Sequence, residues 1–208
     1  MIFFQKVNNY CICFRILHEE NRMKKLISVS GIIGVSVLLL SSISFTLNAD
    51  EKVISENIIS DSGFEEGDGT NTETWKGDAG CRRDTINKHS GKYSAEISSD
   101  TQIENTDIKW WQSGMPINGG KYTISLWYMT KEMTKDPFIT LYFKDENGKE
   151  LGRADACLPR ENDGKWHEFK YVFSVPKSAK SASLLLRFIG KGNVWFDDIS
   201  IHQNKGEE

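Results

Sequence analysis

Two adjacent carboxylates, Asp197 and Asp198, interrupt the last apolar stretch of the chain. Aspartate is disfavoured inside strands because its side chain competes for backbone hydrogen bonds, so an acid pair there needs a specific partner. Near the start of the same domain, Gly63-Phe64-Glu65 offers a backbone carbonyl and a further carboxylate. Hard cations such as calcium bind roughly six to eight oxygens and mix carboxylates with carbonyls. If the first and last strands lie side by side, Glu65 and Asp197 could share one ion; alternatively, Asp197 only caps a strand end in solvent.

A second group of residues could bind a flat, polar ligand. Tryptophan and tyrosine on an open sheet face can stack on sugar rings, while arginine and amide side chains bond sugar hydroxyls. The competing interpretation of each aromatic residue is a place in the core. Because Trp110 and Trp111 are consecutive in a strand, they must face opposite ways, so we expect one in the core and one on the open face. The candidates for such a surface are Trp75, Trp110, Trp111, Gln112, Tyr142, Arg153 and Arg187.

Alternating apolar and polar residues predict the elements that position these side chains. The alternation marks strands with one face in a core, and it recurs at 92–98, 122–130, 138–144, 167–175 and 182–188. Turn signals separate these segments, and Asn147-Gly148 predicts a two-residue hairpin turn of type I′. No amphipathic helix of useful length is present. We therefore predict an all-β sandwich, a jelly roll of about ten antiparallel strands.

The N-terminal region has the pattern of an export signal. Met23-Lys24-Lys25 precedes the apolar stretch 26–40, and small and polar residues follow it up to Ala49. We predict a helical signal peptide over 23–49, a mis-called extension over 1–22 and a sandwich domain over 50–208. The domain is then secreted or at the cell surface, and it contacts a membrane only if the signal segment is not cleaved.

Charge and motifs exclude several classes of function. The chain of 208 residues has a net charge of -3. Its balance beyond residue 50 is more acidic still, because five of the 26 Lys and Arg but only two of the 29 Asp and Glu precede that point. An acidic domain is a poor candidate for nucleic acid. No hydrolase, metalloprotease or nucleotide-binding motif is present, which argues against an enzyme.

The domain contains one pair of cysteines, Cys81 and Cys157. In an exported protein such a pair could form a disulfide, although the sequence does not decide whether the two residues meet.

Five stretches of the domain resemble carbohydrate-binding modules of families 4, 9, 16 and 22, the modules attached to bacterial cellulases and xylanases. They are N-I-I-S-D-S-G-F-E-E-G at 57–67, S-G-K-Y-S at 90–94, G-G-K-Y-T-I-S-L-W-Y at 119–128, W-H-E-F-K-Y-V-F-S-V-P at 166–176 and V-W-F-D-D-I-S-I at 194–201. The resemblance implies a galactose-binding-like jelly roll with a structural calcium ion. The implied calcium ligands are Gly63, Glu65, Ser90, Tyr93 and Asp197.

The same resemblance implies a sugar-binding groove, where Arg153 and Arg187 align with groove residues. Trp110 or Trp111, together with Tyr142, would supply the aromatic platforms, and Trp75, in the variable loop after the first strand, could be another. We therefore predict a monomeric, non-catalytic domain that binds a polysaccharide, a β-linked glycan such as β-glucan or xylan, and holds a structural Ca²⁺. The alternative is a structural or protein-interaction sandwich at the cell surface without a sugar site.

Overall fold

A computed structural model of the chain describes residues 3–7, 10–14, 56–67, 74–99 and 106–204. The predicted signal peptide, 23–49, lies outside these residues. In the predicted extension, β1 (Phe3–Val7) and β2 (Tyr10–Phe14) pair as an antiparallel hairpin. None of the described residues belongs to a helix that is long and apolar enough to span a membrane.

Ten further strands form the sandwich. They are β3 (Lys76–Gly77), β4 (Cys81–Asp84), β5 (Ser94–Ser99), β6 (Ile108–Pro116), β7 (Gly120–Lys131), β8 (Phe138–Lys144), β9 (Glu150–Cys157), β10 (His167–Val175), β11 (Ser181–Phe188) and β12 (Gly192–Gln203).

The ten strands divide equally between two antiparallel sheets. The front sheet has the order β3-β6-β11-β8-β9, and the back sheet has the order β10-β7-β12-β5-β4. We call the outward side of the front sheet the front face and the outward side of the back sheet the back face. The prediction of an all-β jelly roll of about ten strands is confirmed.

Alternation of side chains along the strands builds the core between the sheets. In β11 every second residue is buried, and β7 shows the same pattern over most of its length. The strands predicted from the alternation all form, with ends shifted by at most a few residues. The largest fully buried side chains are Trp75, Trp110, Phe64, Phe143, Phe188 and Phe196.

The segment 56–67, which precedes the first strand of the sandwich, β3, lies beside β12. This is the arrangement expected for the two ends of the domain. The Ile58 N–H donates to the Ile201 carbonyl at 3.2 Å, and the Ile199 N–H donates to the Ser62 carbonyl at 2.9 Å. Between them the Asn57 side chain donates to the Ile199 carbonyl and accepts from the Ile201 N–H. The Asn57 side chain therefore takes the place of the backbone–backbone hydrogen bonds that a paired strand would make with β12. The segment runs along β12 without becoming a regular strand.

The acid pair in β12 coincides with an irregularity in the sheet. The register between β12 and β7 shifts between Asp197 and Ser200, and Asp198 has a φ of 48°. A β-bulge adds a residue to one strand and turns neighbouring side chains to new directions. Here Asp197 is fully buried, with its carboxylate bonded to the backbone amides of His89 and Ser90, while Asp198 stays partly exposed.

The turn predicted at Asn147-Gly148 has a different geometry. A type I′ turn needs positive φ at both central residues, but Gly148 alone has one, at 78°. The Asp145 carboxylate accepts from the Asn147 and Lys149 amides at 2.9 Å each, so a longer loop joins β8 to β9. The predicted turn type was therefore wrong, because an aspartate cap competes with the two-residue turn.

The possible bridge between Cys81 and Cys157, which the sequence left open, does not form. Cys81 is a free, buried thiol on β4. Its Sγ donates a hydrogen bond to the backbone carbonyl of Lys109 at 3.2 Å. Cys157 ends β9. β4 is an edge strand of the back sheet and β9 an edge strand of the front sheet, and β9 lies near β10 at the other side of the sandwich. Burial raises the pKa of the Cys81 thiol to about 12, which makes it unreactive.

Candidate functional site

The front face carries a row of side chains contributed by neighbouring strands. Strand pairing aligns Trp111 on β6 with Leu185 on β11, then with Thr140 on β8 and Asp155 on β9. The adjacent row contains Tyr142 opposite Arg153. Strands lie about 4.8 Å apart and rise about 3.3 Å per residue, so Trp111 and Tyr142 are separated by roughly 12 Å. Both aromatic side chains are half-buried, which leaves part of each ring open to a ligand.

Arg187 lies on the other side of this row, stacked 4.6 Å above the ring of Phe138. Its Nε donates to Asp107 at 3.1 and 3.2 Å, and its Nη2 donates to Asp107 at 2.5 Å. Its Nη1 donates to the Thr140 hydroxyl at 3.1 Å. A bidentate arginine–carboxylate pair fixes the guanidinium plane.

Arg153 is paired with Asp155 through one contact, with 2.9 Å between Arg153 Nε and Asp155 Oδ2. The negative charge of Asp155 raises the pKa of Arg153, and a hydrogen bond with Tyr142 contributes. A third pair joins Lys109 to Asp78 at 2.9 Å, and the Lys109 ammonium lies 5.8 Å from the centre of the Trp111 ring. Each of these cations is thus matched by a carboxylate, so the centre of the front face has polar donors and acceptors but little net charge.

The structure separates the predicted sugar-binding residues into two groups. Trp111, Tyr142, Arg153 and Arg187 lie together on the front face. Trp110 is fully buried and its indole N–H donates to the Glu96 carbonyl at 3.0 Å. It is therefore a core residue, as the alternation of consecutive residues requires for one of the two tryptophans.

Trp75 and Gln112 are corrections to the predicted surface. Trp75 is fully buried, packs 4.7 Å from the Phe64 ring and donates its indole N–H to the Asp61 carbonyl. Gln112 is 5% exposed, and its amide bonds the N–H and carbonyl of Ser60 at 3.0 and 2.8 Å. Neither side chain can reach a glycan, because the segment 56–67 covers both.

Asp107 and Thr140 were missed by the sequence analysis. Thr140 has the same outward parity on β8 as Tyr142, so the alternation could have identified it. Asp107 precedes β6 in a loop and meets Arg187, which is 80 positions further along the chain. No local pattern signals that contact.

The predicted calcium ligands also lie together, at the bulge of β12. Asp197 Oδ2 accepts from the backbone amides of His89 and Ser90 at 2.8 and 3.1 Å. Glu65 Oε1 accepts from the amides of Lys92 and Tyr93 at 2.7 and 3.1 Å. The loop 89–93 therefore wraps around both carboxylates.

Two glycines make this close approach possible. A Cβ at Gly91, where φ is 57°, would lie 2.1 Å from Glu65 Oε1, so no other residue fits there without moving the carboxylate. A Cβ at Gly63 would lie 3.5 Å from Asp197 Oδ1 and 3.9 Å from Glu65 Oε1. The two carboxylates thus converge on the space beside the Gly63 backbone.

The oxygen donors here are of the type that a hard cation accepts. Burial raises the pKa of Asp197 to about 6, because desolvation disfavours the charged carboxylate more than the amides of His89, Ser90 and Asp198 stabilise it. Among the described residues, no three His, Cys, Asp or Glu side chains are grouped so that they could hold a metal ion alone. A cation at this position would therefore use Glu65 and Asp197 together with backbone carbonyls, which is a donor set that calcium accepts.

Arg83 and Asp198 brace the same loops and were not predicted. Arg83 donates to the carbonyls of Phe64, Glu66 and Gly67 and lies 4.2 Å above the Tyr93 ring. Asp198 accepts from the Ser90 hydroxyl at 2.7 Å and lies 2.6 Å from His89 Nδ1. The serine and histidine thus both bond the aspartate, which differs from a hydrolase triad, where histidine bonds both of the others.

The profile of the CBM_4_9 family, described as a carbohydrate binding domain, matches residues 56–191. A comparison with curated proteins found no match to the sequence of this chain.

Several solved structures with the same fold are carbohydrate-binding modules, and another is the enzymatically active domain of tailspike protein 4 from bacteriophage CBA120, at 15% identity and a TM-score of 0.53, covering 71% of this chain and 21% of that one. One of the modules is the CBM22-1 xylan-binding domain of Xyn10C from Paenibacillus barcinonensis, at 18% identity and a TM-score of 0.52, covering 74% of this chain and 97% of that one. A second is a family 16 carbohydrate-binding module, at 13% identity and a TM-score of 0.51, covering 70% and 99%.

A third structure contains the CBM22-1 and GH10 modules of Clostridium thermocellum xylanase 10B complexed with xylohexaose. It has 16% identity and a TM-score of 0.52 and covers 71% of this chain and 28% of that one. Identities at this level establish a shared fold, while the profile match covers more than half of the chain. The chain therefore belongs to the CBM_4_9 family of carbohydrate-binding domains.

Proposed function

We propose that the domain is an exported, non-catalytic module that binds a neutral β-linked polysaccharide on its front face. The observation that carries the proposal is the placement of two half-buried aromatic rings, Trp111 and Tyr142, around two arginines that are each paired with an aspartate. Aromatic rings supply stacking surface, and the paired ions supply directional donors and acceptors for hydroxyls.

The charge pairs favour a neutral glycan over an acidic one. The side chains of Arg187 and Asp107 are 18% and 27% exposed, so both ends of the pair remain in reach of a ligand while their charges cancel. A glycan rich in carboxylates would have to compete with Asp107 and Asp155 for the arginines. Sugar hydroxyls, in contrast, can donate to the carboxylates and accept from the guanidinium groups without breaking either pair.

Xylan is a reasonable first ligand to test, because two of the similar structures are described by xylan or xylohexaose. We propose in addition that a structural Ca²⁺ binds between Glu65 and Asp197, with the carbonyls of Gly63, Ser90 and Tyr93 as further ligands. The ion would neutralise a buried carboxylate and fix the loop 89–93, and it would take no part in sugar contacts.

Affinity electrophoresis of the domain in gels containing xylan, β-glucan, cellulose derivatives or pectic polymers tests the function. We expect retardation by at least one neutral β-glycan. Trp111→Ala and Tyr142→Ala should each weaken binding by about 1–3 kcal/mol without unfolding the domain. Trp127→Ala, on the back face, is the matched control.

No retardation in any gel would overturn the proposal and favour a protein-interaction sandwich. Release of reducing sugar from the same polymers would instead show an enzyme. If Trp127→Ala weakened binding as much as Trp111→Ala does, the assignment of the sugar site to the front face would be wrong.

A further inference from the structure

Thr140 lies on β8, between the central strand β11 and the edge strand β9 of the front sheet, and it is fully buried. Its hydroxyl donates to Asp155 Oδ1 at 2.8 Å and accepts from Arg187 Nη1 at 3.1 Å. A buried hydroxyl needs hydrogen-bond partners, and this one uses its donor and an acceptor position on two different side chains.

The two partners of Thr140 lead to the two arginines of the proposed site. Arg187 is one partner itself and is clamped from its other side by Asp107. Asp155, the other partner, holds Arg153 through its second oxygen. One continuous chain of hydrogen bonds therefore joins Asp107, Arg187, Thr140, Asp155 and Arg153.

We propose that Thr140 is a positioning residue that locks both arginines into one ligand-ready arrangement. The inference deepens the proposed function and rests on it. A guanidinium has five N–H donors; the Arg187 bonds to Asp107 and Thr140 use its Nε–H and one N–H on each terminal nitrogen. The remaining N–H groups keep a fixed direction for sugar hydroxyls.

The physical benefit is a smaller loss of conformational entropy on binding. Immobilising a long side chain costs affinity, and a side chain that is already held in the free protein avoids that cost. Thr140 contributes without touching the ligand, because it is buried beneath the side chains that do.

Thr140→Val tests this role, because it removes the hydroxyl at nearly constant volume. With the glycan that the wild-type domain binds best, we expect affinity to fall about threefold to twentyfold. The melting temperature should fall by less than about 4 °C. Thr140→Ser restores the hydroxyl and should bind within about twofold of wild type.

Thr130→Val is the matched control. Thr130 is equally buried on β7 of the back sheet, and its hydroxyl accepts from the Asn162 amide at 2.9 Å. This variant should lose stability and keep wild-type affinity. A similar loss of affinity in Thr130→Val would show that general destabilisation, not positioning, weakens binding.

A second measurement is independent of any ligand. NMR order parameters of the Arg153 and Arg187 Nε–H groups should drop together in Thr140→Val and return in Thr140→Ser. Unchanged order parameters, or a glycan affinity in Thr140→Val equal to that of wild type, would overturn the positioning role while leaving glycan binding intact. A wild-type domain that binds no glycan would overturn the proposed function and this inference with it.

Discussion

The two outer faces of the sandwich use their carboxylates differently. On the front face, Asp107 and Asp155 bond the side chains of arginines and of the buried Thr140, and the aspartates and arginines stay partly exposed. At the back sheet, Asp197 and Asp84 accept from backbone amides of the loop 85–93. The carboxylates at the back are thus committed to holding a loop in place. Those at the front leave an organised polar surface that a ligand can reach.

The aromatic residues repeat the contrast. On the front face, Trp111 has an ammonium 5.8 Å away and an open flank. On the back face, Trp127 is covered by His89, whose ring stacks 3.9 Å away at 12°. Trp195 is nearly buried and donates to Asp84 at 2.8 Å. Aromatic content alone therefore does not locate a sugar site. A ring can stack on a sugar only where no other side chain covers it.

The largest expected effect separates two neighbours in the chain, Trp110 and Trp111. Trp110→Ala should lower the free energy of unfolding by about 3–5 kcal/mol, because it leaves a cavity in the core. Trp111→Ala should lower it by less than about 1.5 kcal/mol while weakening glycan binding. Urea unfolding of both variants measures the difference, and similar losses of stability would contradict the assignment of the two rings to opposite sides of β6.

The second effect concerns the back sheet alone. A calcium ion that binds only the folded state at about one hundred times its dissociation constant adds about 2.7 kcal/mol. That corresponds to roughly 5–10 °C in melting temperature. Calorimetry with calcium and with a chelator should show this shift in the wild-type domain and lose it in Asp197→Asn. An identical melt in both buffers would remove the calcium proposal and leave the front face unaffected.

Most of the fold was predictable from the sequence because period-two alternation is a local signal. The alternation along β7, β8, β10 and β11 identifies the inward residues directly. It also requires Trp110 and Trp111 to oppose each other, although it cannot say which is inside. The answer depends on the register between β6 and β11, which is a long-range property.

The candidate site was less predictable, because most of its contacts join residues that are far apart in the chain. Trp75 and Gln112 are covered by the segment 56–67, which carries no strand pattern that would reveal its path. Asp107 meets Arg187 across 80 positions, and Cys81 and Cys157 are kept apart by the strand order. Such contacts follow from topology. The carboxylates themselves suggested that Glu65 and Asp197 share an ion, and only the family resemblance added Ser90 to them.

A smaller effect tests the back-face tryptophan. Trp127→Ala removes the stack with His89 and should cost about 0.5–1.5 kcal/mol of stability. Affinity for the glycan should stay within about twofold of wild type, measured by calorimetric titration. A Trp127→Ala variant that binds much more weakly would show that the back face carries sugar contacts, and the contrast between the faces would fail.

The smallest expected effect is that of salt on glycan affinity. Because Arg153, Arg187 and Lys109 are each paired with an aspartate, a neutral ligand gains little from long-range attraction. Raising the salt from about 0.05 M to about 0.5 M shortens the screening length severalfold, yet the dissociation constant should change by less than about twofold. A carboxymethylated form of the same glycan provides the control. A tenfold loss of affinity for the neutral glycan would mean that the charge pairs open on binding. Tighter binding of the carboxymethylated form at low salt would show that the front face selects an acidic polymer.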